Sequence, residues 1–205
     1  MIELQHVCKA FGDHRLFDNF NLTISSGEYV VFSGASGCGK TTLLHMIGAL
    51  ERPDSGRILV DGVDISRRRA QGRYFSETAG FLFQNFALME EKTVRQNLGI
   101  VRGKNRSGVS LEQALARVGL PDKADSHVYT LSGGEQQRVA LARLMMKRCS
   151  LILADEPTGS LDRGNADAVM DILESLNREG KTVLVVTHDE NIMCRAGRLI
   201  RLSGE

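Results

Sequence analysis

Two glycine-rich strings, far apart in the chain, carry residue types suited to holding phosphate. The first, Gly34-Ala35-Ser36-Gly37-Cys38-Gly39-Lys40-Thr41, matches G-x-x-x-x-G-K-[ST] in full. It follows the apolar run Tyr29-Val30-Val31-Phe32 and precedes a helix expected to begin at Lys40. There the glycines let backbone N–H groups converge on phosphate oxygens, Lys40 reaches the terminal phosphates and Thr41 ligates magnesium. A glycine-rich turn before a helix would explain the glycines but not Lys40. The cradle is read as Gly34, Ala35, Ser36, Gly37, Cys38, Gly39, Lys40, Thr41 and Thr42.

The second string, Leu131-Ser132-Gly133-Gly134-Glu135-Gln136-Gln137-Arg138, opens another helix. Ser132 and Glu135 match the S-x-x-E capping box, in which each side chain satisfies an orphan N–H of the new helix. A capping box does not ask for Gly133 and Gly134, whereas a bare helix N-terminus that accepts a phosphate does. Both readings hold together. Between this helix and the C-terminus, the strand-like Leu151-Ile152-Leu153-Ala154 ends in Asp155 and Glu156. Beside a phosphate loop, Asp155 is expected to help hold magnesium and Glu156 to act as general base on the attacking water. Alone, paired acids at a strand end could equally cap the next turn.

The elements that must position these residues are legible from periodicity. Ile2 to Cys8 and Phe20 to Ile24 alternate as half-buried strands, while Tyr29 to Phe32 reads as a strand covered on both faces. A helix from Lys40 would turn Leu43, Leu44 and Ile47 inward, and a strand from Arg57 to Val60 ends at the turn pair Asp61-Gly62. After a further strand, Ala79 to Phe83, helical spacing runs from about Thr93 to Val118, with Val94, Leu98 and Val101 on one face and Leu111, Leu115 and Val118 on another. The polar stretch from Arg102 to Gly108 breaks it. Residues 85–130 are read as a small helical subdomain inserted into a single domain spanning residues 1–205. A helix from Gly133, a strand Leu151 to Asp155, a helix from Arg163, and strands Thr182 to Val186 and Arg198 to Leu202 complete the pattern. The expected fold is α/β: a P-loop NTPase core with a mainly parallel sheet, an N-terminal antiparallel β portion and the helical subdomain.

Composition narrows the partners. A length of 205 residues suits one domain, and 42% hydrophobic and 25% charged residues are ordinary for a globular chain. The formal net charge of +1 argues against nucleic acid as a partner. Cys8, Cys38, Cys149 and Cys194 are scattered without a C-x-x-C pair, which fits reduced thiols rather than disulfides or zinc. The N-terminus lacks signal-peptide features, and no apolar stretch approaches the ~20 residues of a spanning helix. A cytosolic location is expected. The basic run Arg67-Arg68-Arg69, with Arg73, reads as a solvated helix face.

The phosphate loop, Gln84 after a strand, the L-S-G-G-E-Q-Q-R string, Asp155-Glu156, Ser160-Leu161-Asp162 and Thr187-His188-Asp189 follow one another as in ATP-binding-cassette ATPases, and the chain resembles that family over essentially its whole length. The resemblance implies ATP and magnesium as cofactors, and a head-to-tail dimer in which each ATP lies between the phosphate loop of one copy and Ser132, Gly133, Gly134 and Glu135 of the other. It gives Gln84 the sensing of magnesium and attacking water, His188 a γ-phosphate contact, and Asp162 a contact across the dimer. Read singly, Gln84 could just end a strand, Thr187 to Glu190 could be a capping box and Asp162 an N-cap. Phe11 stands where the family commonly places an adenine-stacking tyrosine, although a core aromatic would fit as well. Cys38 departs from the usual small residue, and as a thiol beside Lys40 at a helix start it is either oxidation-sensitive or a tolerated small side chain.

Within the family the similarity is to the compact ATPases of lipoprotein-releasing, macrolide-exporting and bacteriocin-exporting systems. It rests on Leu43-Leu44-His45-Met46-Ile47-Gly48, Phe83-Gln84-Asn85-Phe86-Ala87-Leu88 and Thr93-Val94-Arg95-Gln96-Asn97-Leu98. It implies an integral membrane permease as partner, gripped by the segment from Asn85 through the helical insertion, and a peripheral place on the inner face of the membrane. The alternative is a cassette ATPase acting mechanically on a soluble, cell-division or cluster-assembly partner.

Overall fold

The computed structural model describes residues 1–203. An N-terminal hairpin, β1 (Ile2–Phe11) and β2 (His14–Ile24), leads to β3 (Tyr29–Gly34), the phosphate loop and α1 (Lys40–Ile47). A second hairpin follows, β4 (Ser55–Val60) and β5 (Val63–Asp64), then α2 (Arg68–Arg73), a π-helical turn at Tyr74–Thr78 and β6 (Ala79–Leu82). The middle holds α3 (Val94–Leu98), α4 (Leu111–Arg117) and the long α5 (Gly133–Met146). The rest alternates: β7 (Leu151–Asp155), α6 (Arg163–Arg178), β8 (Thr182–Val186), α7 (Glu190–Met193) and β9 (Arg198–Leu202).

These strands form an antiparallel sheet of four in the order β2-β1-β4-β5 and a parallel sheet of five in the order β6-β7-β8-β3-β9. Every residue from Thr182 to Val186 is buried, as are Tyr29 to Ser33, which is why those runs are apolar without alternation. Alternate residues divide between the faces. Val31 and Val185 join Leu141, Leu144, Val169 and Leu173 of α5 and α6 in one core. Val30, Phe32 and Val186 join Leu43, Leu44 and Ile47 of α1, with Ile2, Leu4 and Val7 of β1, in the other. Each such aliphatic side chain contributes about 1.5–3 kcal/mol by burial. The shared core wedges α1 between the two sheets and fixes the phosphate loop at its start.

The first two strands run further than alternation predicts, to Phe11 and from His14. Register shifts at Leu4/Val7, Val7/Lys9 and Lys9/Ala10 are the reason, because each bulge changes which face the next side chain meets. The Asp61-Gly62 turn is as expected: both residues have positive φ (48° and 76°), and they join β4 to the short β5 not foreseen from the sequence. The helical spacing over Thr93 to Val118 resolves into two short helices. Thr93 and Ser110 cap them, each in a full capping box with the glutamine three residues on, and Gly99 and Val118 end them. Val101 falls outside both. α2 is solvent-facing, with none of its residues buried. Among the described residues no helix is long and apolar enough to cross a membrane.

Candidate functional site

The C-terminal ends of β3, β7 and β8 lie side by side in the parallel sheet, and the predicted chemistry sits on the turns that leave them. After β3 the chain passes through Gly34 (φ 148°), Gly37 (φ 82°) and Gly39 (φ 91°). A β-carbon on Gly34 would fall 2.3 Å from the carbonyl oxygen of Leu202, and one on Gly39 would fall 2.9 Å from the Phe17 ring. Both positions therefore exclude side chains by space as well as by dihedral. Among the described residues no side chain caps α1 at Gly39, so the first N–H groups of the helix are left for another acceptor. Ala35, Ser36, Gly37 and Thr41 are exposed and Thr42 is half-buried, whereas Lys40 is largely buried. The Lys40 ammonium folds back on the loop, donating to the carbonyls of Gly34 (2.9 Å) and Ala35 (2.8 Å). An uncapped helix start with an enclosed ammonium fits an anion of the phosphate class.

Across from the loop, Thr41 Oγ1 donates to Asp155 Oδ1 at 3.0 Å. One residue on, Glu156 takes φ 44°, left-handed backbone that residues bearing a β-carbon adopt rarely. Its amide donates to the carbonyl of Val186, which pins the turn to the end of β8. Glu156 Oε1 lies 2.9 Å from Nδ1 of His188, while Oε2 is buried with no partner among the described residues. Such an orphaned buried oxygen, on a strained backbone, calls for a donor such as a water molecule. The Glu156 hydrogen bond, together with its charge, holds the exposed His188 imidazole above its ordinary value of 6.5. Whatever stability the pair adds is complete below that ordinary value and is lost as pH rises through the raised one. A nuclear magnetic resonance titration of the nucleotide-free chain is expected to place His188 above 6.5, and Glu156→Gln to bring it back down.

Gln84 lies two residues past the end of β6, in an exposed turn rather than in the strand. It reaches the Glu156 turn: a β-carbon built on Gly159 would sit 3.4 Å from Gln84 Nε2. Asp162 is the N-cap of α6, its Oδ1 accepting from the Asn165 amide and its Oδ2 from Asn165 Nδ2. Thr187 to Glu190 is not a capping box. Asp189 caps α7, accepting from the amide of Asn191, and Thr187 Oγ1 instead accepts from the amide of Asp189. Phe11 is 52% exposed, which removes the core-aromatic reading, and Lys9 Nζ stands 4.7 Å from its ring centroid.

At the second glycine string the full capping box forms: Ser132 Oγ accepts from the Glu135 amide, and a Glu135 carboxylate oxygen accepts from the Ser132 amide. The hydrogen bond from the Ser132 backbone keeps the Glu135 carboxylate below its ordinary range. The two glycines separate in role. A β-carbon on Gly134 would lie 2.4 Å from Asn165 of α6, whereas one on Gly133 would meet only the Phe86 ring, at 3.7 Å. A side chain at 134 therefore requires Asn165 to move, which accounts for Gly134 without a phosphate. Gly134→Ala is expected to lower unfolding free energy by about 1–3 kcal/mol, read by chemical denaturation, because Asn165 must give way and with it the Asp162 cap. Among the described residues no hydrogen bond joins 132–135 to the phosphate loop.

Of the two readings of Cys38, its burial favours the tolerated small side chain. Its side chain is 5% exposed, with Sγ 3.8 Å from Lys40 Nζ, so it fills space beneath the loop instead of meeting oxidants in solution. Two residues were missed. His45 Nε2 stands 3.5 Å from Asp155 Oδ2, an ion-pair distance without hydrogen-bond geometry. It lies on the same face of α1 as Thr41, and that i,i+4 spacing was the available signal. Buried Gln137 donates to the Pro157 carbonyl at 2.6 Å, tying α5 to the turn after Glu156. Nothing in its own neighbourhood in the sequence signals that long-range bond.

A phosphate cradle at the end of β3 and a paired acid at the end of β7, flanking β8 in one parallel sheet, together with a second glycine-led helix start on α5, are the parts of an ATP-hydrolysing cassette. The chain belongs to the ABC transporter family, whose model matches residues 17–159. It is 41% identical over 216 residues to the lipoprotein-releasing system ATP-binding protein LolD 1 of Caulobacter vibrioides, covering 99% of this chain and 92% of that protein. It is 38% identical over 209 residues to the macrolide export ATP-binding/permease protein MacB of Campylobacter jejuni, covering 98% of this chain but only 33% of that longer protein. The fold agrees with that of the dimeric ATP-binding cassette MJ0796 bound to ADP and Pi, with TM-score 0.86 and 35% identity over 99% of this chain and 94% of that one. The lipoprotein-releasing and macrolide-export likeness read from the sequence is thus found among its relatives.

Proposed function

We propose that this ATPase works as a head-to-tail pair that powers a membrane transporter of the export type, bound to its permease at the inner face of the membrane. The observation that carries the reading is the near full-length identity to LolD 1, a component by name of a lipoprotein-releasing system. In this reading the N–H groups at the start of α1 and the Lys40 ammonium take the β- and γ-phosphates, Phe11 offers its exposed face to adenine, and Ser132 to Glu135 close over the nucleotide of the other copy, with Asp162 at the seam. Among the described residues no three His, Cys, Asp or Glu side chains gather to hold a metal alone, so a magnesium ion arriving with the nucleotide would rest on Thr41 Oγ1, Asp155 and Gln84. When bound, it neutralises charge building on the transferring phosphoryl group. Glu156 draws a proton from the attacking water, and His188 leaves it to contact the γ-phosphate.

Residues 85–130 are the unit that meets the permease. A groove of about 360 Å³ between β6, α5 and the segment after α3 supports this reading. Its floor is Phe81 stacked on Phe83 at 5.4 Å, and Ile100, 51% exposed, stands at its lip. An apolar floor beside cationic Arg102, Arg143 and Lys147 suits a short amphipathic segment of a membrane protein. The test is capture of tagged Glu156→Gln with ATP and magnesium from detergent-solubilised membranes of its host. A co-purifying multi-span permease is the expected result. A soluble scaffold or division protein, with no permease, would shift the reading to mechanical work outside transport.

A further inference from the structure

The turn after Gln84 is strained and is held from one side by a single cation. Phe86 and Ala87 both take left-handed backbone, φ 60° and φ 47°, a pairing disfavoured for residues that carry a β-carbon. Arg143, in the last turn of α5, reaches this turn with both arms: Nη1 donates to the carbonyl of Ala87 at 2.6 Å and Nη2 to that of Phe86 at 3.1 Å. Among the described residues no carboxylate pairs with Arg143, and burial lowers its hold on the proton, so these carbonyls are its compensation. At the opposite end of α5 the Phe86 ring faces Gly133. On the far side of the turn, buried Asn97 of α3 fixes Met89 through both its amide and its carbonyl.

We propose that Arg143 is a positioning residue for hydrolysis: its guanidinium locks the left-handed Phe86-Ala87 turn and so sets where Gln84 stands relative to the Asp155-Glu156 strand end. The lock makes the Gln84 turn ride with the helix that begins at Ser132. Because Arg143 also lines the groove over Phe81 and Phe83, whatever fills that groove meets the same side chain. The proposal rests on the assignment of Gln84 to the magnesium and water site.

The test uses the whole chain with ATP and magnesium and reads steady-state ATPase alongside equilibrium binding of a fluorescent ATP analogue. Arg143→Ala is expected to lower kcat roughly ten- to hundredfold, as small misplacements of a reacting group do, while analogue binding stays within about twofold. The magnesium concentration for half-maximal rate is expected to rise. Ala87→Gly, placed in the Arg143→Ala background, is expected to restore much of the rate, since glycine keeps the left-handed turn without the clamp. Arg143→Lys, which preserves charge and fold but offers a single ammonium for two carbonyls, is expected to fall between. Wild-type kcat in folded Arg143→Ala would overturn the proposal. So would no gain from Ala87→Gly in either Arg143 variant, since that outcome assigns Arg143 to holding α5 alone. If instead Gln84→Ala leaves kcat and magnesium dependence unchanged, the underlying assignment of Gln84 fails first, and the two failures are distinguishable.

Discussion

Glu156→Gln is expected to bind ATP with near-native affinity and to hydrolyse it about 10²–10⁴-fold more slowly, the range that a positioned general base contributes. The amide keeps the size and most of the hydrogen bonding of the carboxylate but cannot take a proton from water. Its backbone is already paid for by the fold: the left-handed φ of 44° is held by the amide bond to Val186, so the substitution leaves the turn in place. The 2.9 Å contact with His188 changes from a charge-assisted bond to a neutral one, which frees His188 without moving the loop. Single-turnover hydrolysis with bound ATP separates the chemical step from binding. A rate within threefold of wild type would remove Glu156 from the role of base.

Lys40→Ala acts at the other step. The ammonium is spent on two loop carbonyls, at 2.9 and 2.8 Å, and among the described residues no acid pairs with it. A nucleotide exchanges those neutral acceptors for phosphate oxygens, and each charge-assisted bond is worth about 1.5–3 kcal/mol. Losing two of them lowers affinity by about 10²–10⁴-fold. Titration calorimetry with ATP and magnesium is expected to show no binding in the micromolar range. Retained micromolar affinity would count against the phosphate-loop assignment, since Lys40 is the one residue that a plain glycine turn does not need.

Much of this site is legible in the sequence because its parts are local. The cradle is a continuous string, its strand is an unbroken apolar run, and Asp155-Glu156 ends another, so residue order alone puts each at the C-terminal end of a buried strand; that β8 lies between the two strands is seen only in the fold. Of the strands buried on both faces, Thr182 to Val186 is matched end to end and Tyr29 to Phe32 runs only two residues further, to Gly34. The bulged β1 and β2 are not so matched, since each register shift scrambles the alternation on which strand ends are read. Contacts made across the chain leave no trace either. Gly134 reads as part of a phosphate-accepting pair, and only the fold reveals Asn165 lying where its β-carbon would be. The Arg143 clamp spans 56 residues to Ala87, and the two left-handed residues it holds are neither glycine nor asparagine, so no turn signal announces them.

The most direct test is sedimentation velocity of Glu156→Gln with and without ATP and magnesium. A sandwich shared between copies requires a monomer without nucleotide and a dimer with it, holding one ATP per chain. Ser132→Arg in the same background is expected to leave ATP bound and the chain monomeric, because its bulk and charge fall on the surface proposed to close over the partner's nucleotide. A Glu156→Gln chain that binds ATP yet stays monomeric, or a dimer indifferent to Ser132→Arg, would contradict the shared site.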